Sequence, residues 1–274
     1  MSLPKTPKPV YTTDHSSSVL QTHSWRTVAN SAGYLAPHVK DNMTILDVGC
    51  GPGSITVDLA RLVPHGHVTG VEYVPDPLEG ARAFAASQNI TNVSFQVADI
   101  HALPFPDNTF DIVHVHQVLQ HIADPVQALR EMRRVTKTGG GLVACRESAS
   151  MVWYPPLPGL DAWRALTRNM ATARGSHPDP GSYIHVWAEK AGFLRDDITT
   201  SAGTWCFRTD AEREYWGGSM QARMQSSGLA TAALGEKFTT QEELQKIIDA
   251  WKQFREDKDA WFGLLHGEII CRKS

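Results

Sequence analysis

Apolar positions in the first half of the chain alternate between short continuous runs and runs with a helical period. The continuous runs are rich in β-branched residues and predict strands over residues 44–48, 67–72, 93–99, 110–116 and 141–145. Helical spacing predicts the helices between them, for example where Ile55, Leu59 and Leu62 recur on one face. Because parallel strands are joined by crossover helices, this alternation predicts a doubly wound α/β fold with helices on both faces of the sheet.

The second half has a less regular pattern, and seven of the eight tryptophans lie beyond residue 150. A helix is predicted over residues 182–192, ending in a cap glycine, and two closing strands over 198–205 and 268–271. With these two, the predicted sheet has seven strands, most of them parallel. The remaining aromatic segments predict a helical cap over the carboxyl ends of the strands.

The N-terminal residues form a third predicted unit. Residues up to about 18 are rich in Pro, Thr and Ser, and a loose helical pattern follows that ends near Pro37. We therefore expect an N-terminal arm and lid helix over residues 1–40 and a cofactor-binding core over 41–150. A substrate cap over 151–274 is expected to include the closing helix and strands of the same sheet.

A glycine-rich turn joins the first predicted strand to its helix, in the segment 46–53 with the sequence LDVGCGPG. Gly49, Gly51 and Gly53 let the backbone approach a ligand closely at the N-terminus of the following helix. The GxGxG spacing differs from the GxGxxG spacing of dinucleotide folds, and the Asp47 carboxylate would repel a pyrophosphate. Both features argue against a nicotinamide-dependent reductase and favour a cofactor that carries an ammonium or sulfonium group.

Two further acidic residues follow the second and third predicted strands. Glu72 lies 23 residues after Gly49, where a carboxylate can accept hydrogen bonds from both hydroxyls of a ribose. Asp99 offers a carboxylate to an adenine amino group, and its neighbour Ile100 offers an apolar surface to the ring. Together with Asp47, these carboxylates predict one cofactor site at the edge of the sheet. Helix capping or a surface position is the alternative for each of them.

The chain resembles the class I S-adenosylmethionine-dependent methyltransferases, and among them the small-molecule enzymes related to the ubiquinone and menaquinone methyltransferases. The resemblance covers about residues 42–147 and rests on ILDVGCGPG (45–53), Glu72, ADI (98–100), LPFPDNTFDIV (103–113), LQHIADP (119–125) and GGGLV (139–143). It implies S-adenosylmethionine as the cofactor and S-adenosylhomocysteine as the product.

The resemblance also implies a role for each residue of the cofactor site. The methionine part is assigned to Asp47, Gly49, Gly51 and Gly53, the ribose to Glu72, and the adenine to Asp99 and Ile100. The amino group and sulfonium are assigned to His116 and Gln117, and the carboxylate to Arg26. Tyr73 is also expected to bind the cofactor.

The acceptor is predicted from the second half, which is more loosely similar to fungal secondary-metabolite methyltransferases such as the gliotoxin bis-thiomethyltransferase. Its many aromatic residues suit a compact, poorly charged small molecule, and a thiol or dithiol is favoured because a thiol ionises readily. The alternatives are O- or C-methylation of a phenolic or quinone-like metabolite, with His116 as the candidate base, and a module that binds S-adenosylmethionine without turnover. The predicted substrate-binding residues are Glu147, Trp153, Tyr154, Trp205, Phe207, Tyr215 and Trp216.

Charge and composition exclude several other functions. The chain has 26 Lys and Arg against 29 Asp and Glu, a net charge of −3 and no basic stripe, so a nucleic-acid partner is not expected. No apolar run reaches the roughly 18 residues of a membrane helix, so we expect no membrane partner and a cytoplasmic protein. His114, His116 and His121 lack a Cys or carboxylate at ligand spacing, so no metal site is predicted. No GxSxG motif supports a hydrolase, and the sequence carries no signal for an oligomeric state.

Overall fold

The computed structural model describes residues 25–274, and in that range one seven-stranded sheet forms the centre of the molecule. The strands are β1 (Thr44–Val48), β2 (His67–Glu72), β3 (Val93–Val97), β4 (Ile112–His116), β5 (Gly141–Tyr154), β6 (Ile198–Phe207) and β7 (Trp261–Lys273). Their spatial order is β3-β2-β1-β4-β5-β7-β6. The first five of these pair in parallel, and β7 lies antiparallel between β5 and β6. The predicted seven-stranded, mostly parallel sheet is confirmed.

Helices cover both faces of this sheet, as the alternating pattern predicts. They are α1 (Val28–Ser31), α2 (Ser54–Leu62), α3 (Asp76–Ser87), α4 (Pro125–Val135), α5 (Pro158–Ala173), α6 (Ile184–Lys190), α7 (Asp210–Ser226), α8 (Gly228–Gly235) and α9 (Gln241–Glu256). Successive strand residues point to opposite faces, so Ile45 packs with Leu59 of α2 whereas Leu46 packs with Leu129 of α4. None of the helices in the described part of the chain is both long and apolar enough to cross a bilayer.

The strands β5 and β7 are much longer than the sequence pattern predicts. The predicted strands stop at residue 145 and start at residue 268, whereas β5 runs to Tyr154 and β7 begins at Trp261. The two strands pair along the full length of β5. Backbone hydrogen bonds between them therefore extend both strands into segments that have no continuous apolar run. This extension crosses the predicted boundary at residue 150, and the core and the cap therefore share one sheet.

The aromatic helices of the second half pack on one face of this extension. Residues of α5, α7, α8 and α9 form a single hydrophobic cluster with β6 and β7, in which Trp251 and Phe262 are fully buried. Trp163 of α5 meets Trp251 edge to face, with 4.9 Å between the ring centroids. Burial of these large rings holds the cap helices against the sheet.

The predicted N-terminal helix is only partly within the described residues, and that part is not one helix. The predicted arm and the first residues of the helical pattern lie outside them. Thr27 caps the four-residue α1 by accepting from the Asn30 amide, and the Asn30 side chain accepts from the Thr27 amide in return. This capping box starts a new helix at Val28, which ends at Ser31, and Pro37 lies in a separate 3-10 turn.

Candidate functional site

A pocket opens at the carboxyl edge of the parallel strands, where the loops after β1, β2, β3 and β4 meet. It is lined by residues 47–52, 71–74, 98–100 and 116–118, with contributions from Arg26 and His121. Parallel strands end at the same edge of a sheet, so residues far apart in sequence line one cavity. Every predicted cofactor-binding residue except Gly53 lines this pocket.

The glycine loop between β1 and α2 forms one wall of the pocket. Gly49, Gly51 and Gly53 have positive φ angles of 69°, 51° and 80°. A Cβ at Gly49 would come within 2.3 Å of Val118 Cγ2, and a Cβ at Gly53 within 2.9 Å of Ala81 Cβ. A Cβ at Gly51 would meet no described atom within 4 Å. Gly51 therefore keeps the pocket open, whereas Gly53 permits close packing against α3.

Asp47 is almost fully buried at the end of β1, and both of its carboxylate oxygens are engaged. Oδ2 accepts from the Thr56 hydroxyl at 2.6 Å, and Oδ1 lies 2.8 Å from Nδ1 of His114. A ligand that contacts Asp47 directly must therefore share these oxygens with Thr56 and His114. The carboxylate also acts on the pocket through its negative charge.

Glu72 and Asp99 are the more exposed carboxylates of the pocket. Glu72 accepts from the amide of Gly51 at 3.1 Å and from the amide of Tyr73 at 2.9 Å, so it is held against the glycine loop. Oδ1 of Asp99 accepts from the His101 amide and lies 2.9 Å from Nδ1 of His101. Oδ2 of Asp99 accepts no hydrogen bond from another described residue and is free to bind a donor group in the pocket.

The Arg26 guanidinium and the Gln117 side-chain amide form another part of the pocket lining. Nη2 of Arg26 donates to Oε1 of Gln117 at 2.7 Å, and Nε2 of Gln117 lies 2.9 Å from Nε2 of His266 in β7. The Arg26 guanidinium also lies over the ring of Trp205, 5.6 Å from its centroid. Arg26 brings a positive charge to the same pocket that the carboxylates line.

His116 lies in the pocket as an uncharged imidazole. Burial, and then the positive charges of Arg26 and Arg146, hold the pKa of His116 well below its usual range. Neither of its ring nitrogens has a hydrogen-bond partner among residues 25–274. Burial and Arg26 also lower the pKa of His121 to about 4. An imidazole with such a low pKa is a weak base, and His116 is better suited to a hydrogen bond with a ligand than to removing a proton.

Glu147 is not at the position expected for a substrate contact, and it does not line the pocket. Its carboxylate lies beneath the loop that follows β4, where Oε1 accepts from the amides of Val118 and Leu119 at 2.9 Å and 2.8 Å. The side chain is fully buried, and burial raises the pKa of Glu147 to about 8. Glu147 therefore supports the loop from below and keeps its proton at neutral pH.

The substitution Glu147→Gln is expected to increase the free energy of unfolding, by an amount that grows as the pH rises from 4.5 towards 8. The folded protein keeps the Glu147 proton up to a pKa of about 8, while the unfolded chain releases it near 4.5. The folded state therefore binds more protons in this window, and stability falls with rising pH by at most about 1.4 kcal/mol per unit. Glutamine does not titrate and keeps an oxygen for both amides. Urea unfolding at pH 5.5 and pH 7.5 measures the difference, with the exposed Glu79→Gln as control, and a constant difference would contradict the prediction.

Most of the predicted aromatic substrate contacts lie elsewhere. Phe207 and Trp216 stack on each other, 4.5 Å apart, inside the buried aromatic cluster. Trp153 stacks on Phe262 at 6.0 Å, and Tyr154 is 56% exposed. These four placements correct the expectation that they line the pocket. Three of the residues lie on β5 and β6, where alternate side chains point either into the cap cluster or outward, whereas Trp216 lies on α7 inside that cluster.

Two of the predicted aromatic residues lie close to residues at or next to the pocket lining, although neither lines it. The ring of Trp205 lies 5.7 Å from that of His116. Tyr215 lies 6.0 Å from Trp25, the neighbour of Arg26, measured between ring centroids.

Three buried polar residues beside the pocket are absent from the sequence prediction: Arg146, His266 and Glu268. Nε of Arg146 lies 3.0 Å from Oε1 of Glu268, with the two side chains only 2% and 8% exposed. Ser201 donates to the other oxygen of Glu268 at 2.8 Å, and the guanidinium lies over Trp205. The sequence signal for His266 and Glu268 is their polarity at alternate positions of β7, and Arg146 lies within the apolar strand β5. Their partners lie on other strands, so no motif links them.

The three histidines considered as metal ligands do not form a metal-binding group among the described residues. His114 contacts Asp47, whereas His116 lies against Trp205. No group of three or more His, Cys, Asp or Glu residues in the described chain is arranged to hold a metal ion. That the protein works without a metal stays a prediction.

Comparisons with known proteins show which proteins this chain is similar to. A family described as a methyltransferase domain matches residues 39–193. An uncharacterised methyltransferase of Schizosaccharomyces pombe is 37% identical over 268 residues, 94% of each chain. A probable methyltransferase of Aspergillus luteorubrus is 30% identical over 96% of this chain and 97% of its own. A demethylmenaquinone methyltransferase of Listeria monocytogenes is 36% identical over 44% of this chain and 49% of its own. The crystal structure of the YcgJ protein from Bacillus subtilis has the same fold, with a TM-score of 0.57 at 21% identity, over 88% of this chain and 97% of that one.

Proposed function

Since the chain belongs to the class I S-adenosylmethionine-dependent methyltransferases, we propose that it methylates a small-molecule thiol or dithiol at the pocket described above. S-adenosylmethionine is the methyl donor and S-adenosylhomocysteine the product. The acceptor we propose is a compact secondary metabolite. The observation that carries the thiol preference is the buried, uncharged His116 in the pocket wall, which is too weak a base to ionise a hydroxyl acceptor.

The donor set of the pocket suits each part of S-adenosylmethionine. The free oxygen of Asp99 can accept from the adenine amino group, beside the largely buried side chain of Ile100. Glu72 is held where its carboxylate can accept from the ribose hydroxyls, and Gly51 leaves space beside it. Arg26 can bind the cofactor carboxylate, since a guanidinium fork matches carboxylate geometry. The charge of Asp47 favours the ammonium and sulfonium groups.

The surroundings of His116 disfavour a cationic acceptor. Burial, and then Arg26 and Arg146, lower the pKa of His116, which means that a positive charge at this position is disfavoured. An ammonium acceptor would meet the same burial and repulsion, whereas a neutral thiol would not. Because His116 is a weak base, a hydroxyl with a pKa near 10 would have to ionise without help. A thiol, with a reference pKa of about 8.5, needs much less assistance.

The protein promotes methyl transfer mainly by positioning the acceptor relative to the methyl group. S-adenosylmethionine supplies a methyl group on a positively charged sulfur, which needs an attacking atom in line with the bond that breaks. The chain must hold the acceptor close to that methyl group and exclude water. His116 can hydrogen-bond the acceptor, and the aromatic rings of Trp205 and Tyr215 lie near enough to bound the acceptor space.

A matched panel of acceptors tests this proposal. The purified protein is incubated with S-adenosylmethionine and phenylmethanethiol, phenol, phenylmethylamine or a small dithiol such as dithiothreitol, and S-adenosylhomocysteine and methylated products are measured by mass spectrometry. Methylation of the thiols, without added metal and unchanged by chelator, is expected. The amine is expected to react least, because the surroundings of His116 disfavour a cationic acceptor.

Each other result identifies a different error. Methylation of the amine alone contradicts the discrimination against a cationic acceptor, and methylation of the phenol alone contradicts the thiol preference and returns His116 to the role of base. Binding of S-adenosylhomocysteine without turnover of any acceptor class supports a non-catalytic module. Loss of turnover in Glu72→Gln, measured in parallel, shows that the activity belongs to this pocket.

A further inference from the structure

Three side chains from distant parts of the chain form one hydrogen-bonded series that ends at the pocket. Arg26 precedes α1, Gln117 follows β4, and His266 lies within β7. Arg26 Nη2 and Gln117 Oε1 are 2.7 Å apart, and Gln117 Nε2 and His266 Nε2 are 2.9 Å apart. Arg26 and Gln117 line the pocket, whereas His266 does not. We refer to these three residues as the relay.

The chemistry of the groups allows only one arrangement of protons in the relay. A guanidinium can only donate, so Gln117 must present its carbonyl oxygen to Arg26 and its amide nitrogen to His266. That nitrogen donates, so Nε2 of His266 must accept and the ring proton must be on Nδ1. The flipped amide would place its NH₂ group against the guanidinium. His266 therefore selects the orientation of Gln117 that accepts from Arg26.

The surroundings of His266 keep its ring neutral and in place. Burial, Arg146 and then Arg26 lower the pKa of His266 to about 2. A neutral ring is required, since an imidazolium would present a second donor to the Gln117 amide. The ring packs edge to face on Trp205 at 4.5 Å between centroids, in the strand that β5 and β6 flank on both sides. His266 is thus held by the strands on both sides of β7 and by the Trp205 ring.

The side-chain amide of Gln117 needs a hydrogen-bonding partner to fix its orientation, because the backbone fixes only where the side chain begins. Gln117 has a positive φ of 54°, in a turn held by a bond from its backbone amide to the carbonyl of Arg146 at 2.8 Å. The backbone position is therefore set by β5, but the amide plane of the side chain is set by what it bonds. Arg26 lies outside the sheet. Its guanidinium donates to the Gln117 side-chain oxygen and lies over the Trp205 ring.

We propose that His266 is a positioning residue, which acts through Gln117 to orient Arg26 towards the carboxylate end of the cofactor. The inference rests on the proposed cofactor site, where Arg26 takes that carboxylate. Substitution of His266 is therefore expected to weaken cofactor binding. The methyl-transfer step itself and the affinity for the acceptor stay unchanged.

A double-mutant cycle tests the relay in the full-length protein. His266→Leu fills the space without accepting a hydrogen bond, and His266→Gln restores an acceptor at the position of Nε2. We expect His266→Leu to raise the Kd for S-adenosylhomocysteine and the KM for S-adenosylmethionine about tenfold, with kcat within about twofold. His266→Gln is expected to recover most of the affinity. The double variant Gln117→Leu/His266→Leu is expected to bind no more weakly than Gln117→Leu alone.

The other outcomes are distinguishable. Wild-type affinity in His266→Leu, when Glu72→Gln binds weakly, overturns the relay and leaves the proposed function intact; wild-type affinity in both overturns the cofactor site itself. Additive losses in the double variant, or a lower kcat at constant KM, show that His266 acts by another route. Melting temperatures are compared for all variants, and His266→Met, a flexible side chain of suitable size, replaces the leucine if that variant does not fold.

Discussion

The substitution Glu72→Gln is expected to weaken the binding of S-adenosylhomocysteine by about 1.5–3 kcal/mol, roughly ten- to a hundredfold in Kd. The carboxylate of Glu72 lines the pocket and is held by the amides of Gly51 and Tyr73. Glutamine has one oxygen in place of two and no charge, so it cannot accept equally well from both ribose hydroxyls. Calorimetric titration of the wild type and the variant measures the change.

The control for this variant is Glu79→Gln, a substitution of the same kind at an exposed position of α3 outside the pocket. It is expected to bind like the wild type. Asp47→Ala is expected to weaken binding by a similar amount, but it also removes the partner of Thr56 and His114, so its melting temperature must be compared. Unchanged affinity in both Glu72→Gln and Asp47→Ala would remove the cofactor assignment.

Removing the carboxylate of Glu268 is expected to lower the free energy of unfolding by about 3–5 kcal/mol. Arg146 and Glu268 face each other across β5 and β7 with almost no exposure to solvent. Burial already lowers the pKa of the Arg146 guanidinium, and Glu268 opposes that effect. In Glu268→Ala the positive charge stays buried without its partner, and Ser201 loses its acceptor. Guanidinium chloride unfolding of the variant measures the loss.

A solvent-exposed pair supplies the comparison. Arg174 and Glu236 are 2.7 Å apart, with Glu236 49% exposed, and Glu236→Ala is expected to cost less than about 1 kcal/mol. If the charge is the cause, the double variant Arg146→Met/Glu268→Leu recovers much of the stability lost in Glu268→Ala. A loss below about 1 kcal/mol in Glu268→Ala would show that solvent or another group compensates Arg146.

The parallel half of the sheet and most residues that line the pocket are predictable from the sequence because their signals are local. Each unit of strand, turn and helix is encoded in a short continuous segment, and Gly49 and Gly51 mark the first turn. Glu72 and Asp99 follow their strands directly, and parallel strands bring all such positions to one edge. The family resemblance adds the chemistry of the ligand to this placement.

Whether a strand-end residue reaches the pocket depends on its side-chain direction, which the sequence signal does not contain. Glu147 follows the pattern of a pocket residue, yet its carboxylate lies under a loop and accepts from two amides. Phe207 and Trp216 are aromatic, as a substrate wall requires, yet they stack inside the cap. Burial and partners decide the role in each case, and both arise from packing between segments far apart.

The sequence by itself determined the fold class, the methyltransferase family and the edge of the sheet at which the cofactor residues meet. The tertiary structure alone decided the extension of β5 and β7, the buried pair of Arg146 with Glu268, and the contact of His266 with Gln117. The reason is physical: periodicity reports which face of an element is buried, and a turn motif reports a local backbone shape. Neither reports which distant side chain completes a contact, and Gln117, which follows β4, is 149 residues from its partner His266 in β7.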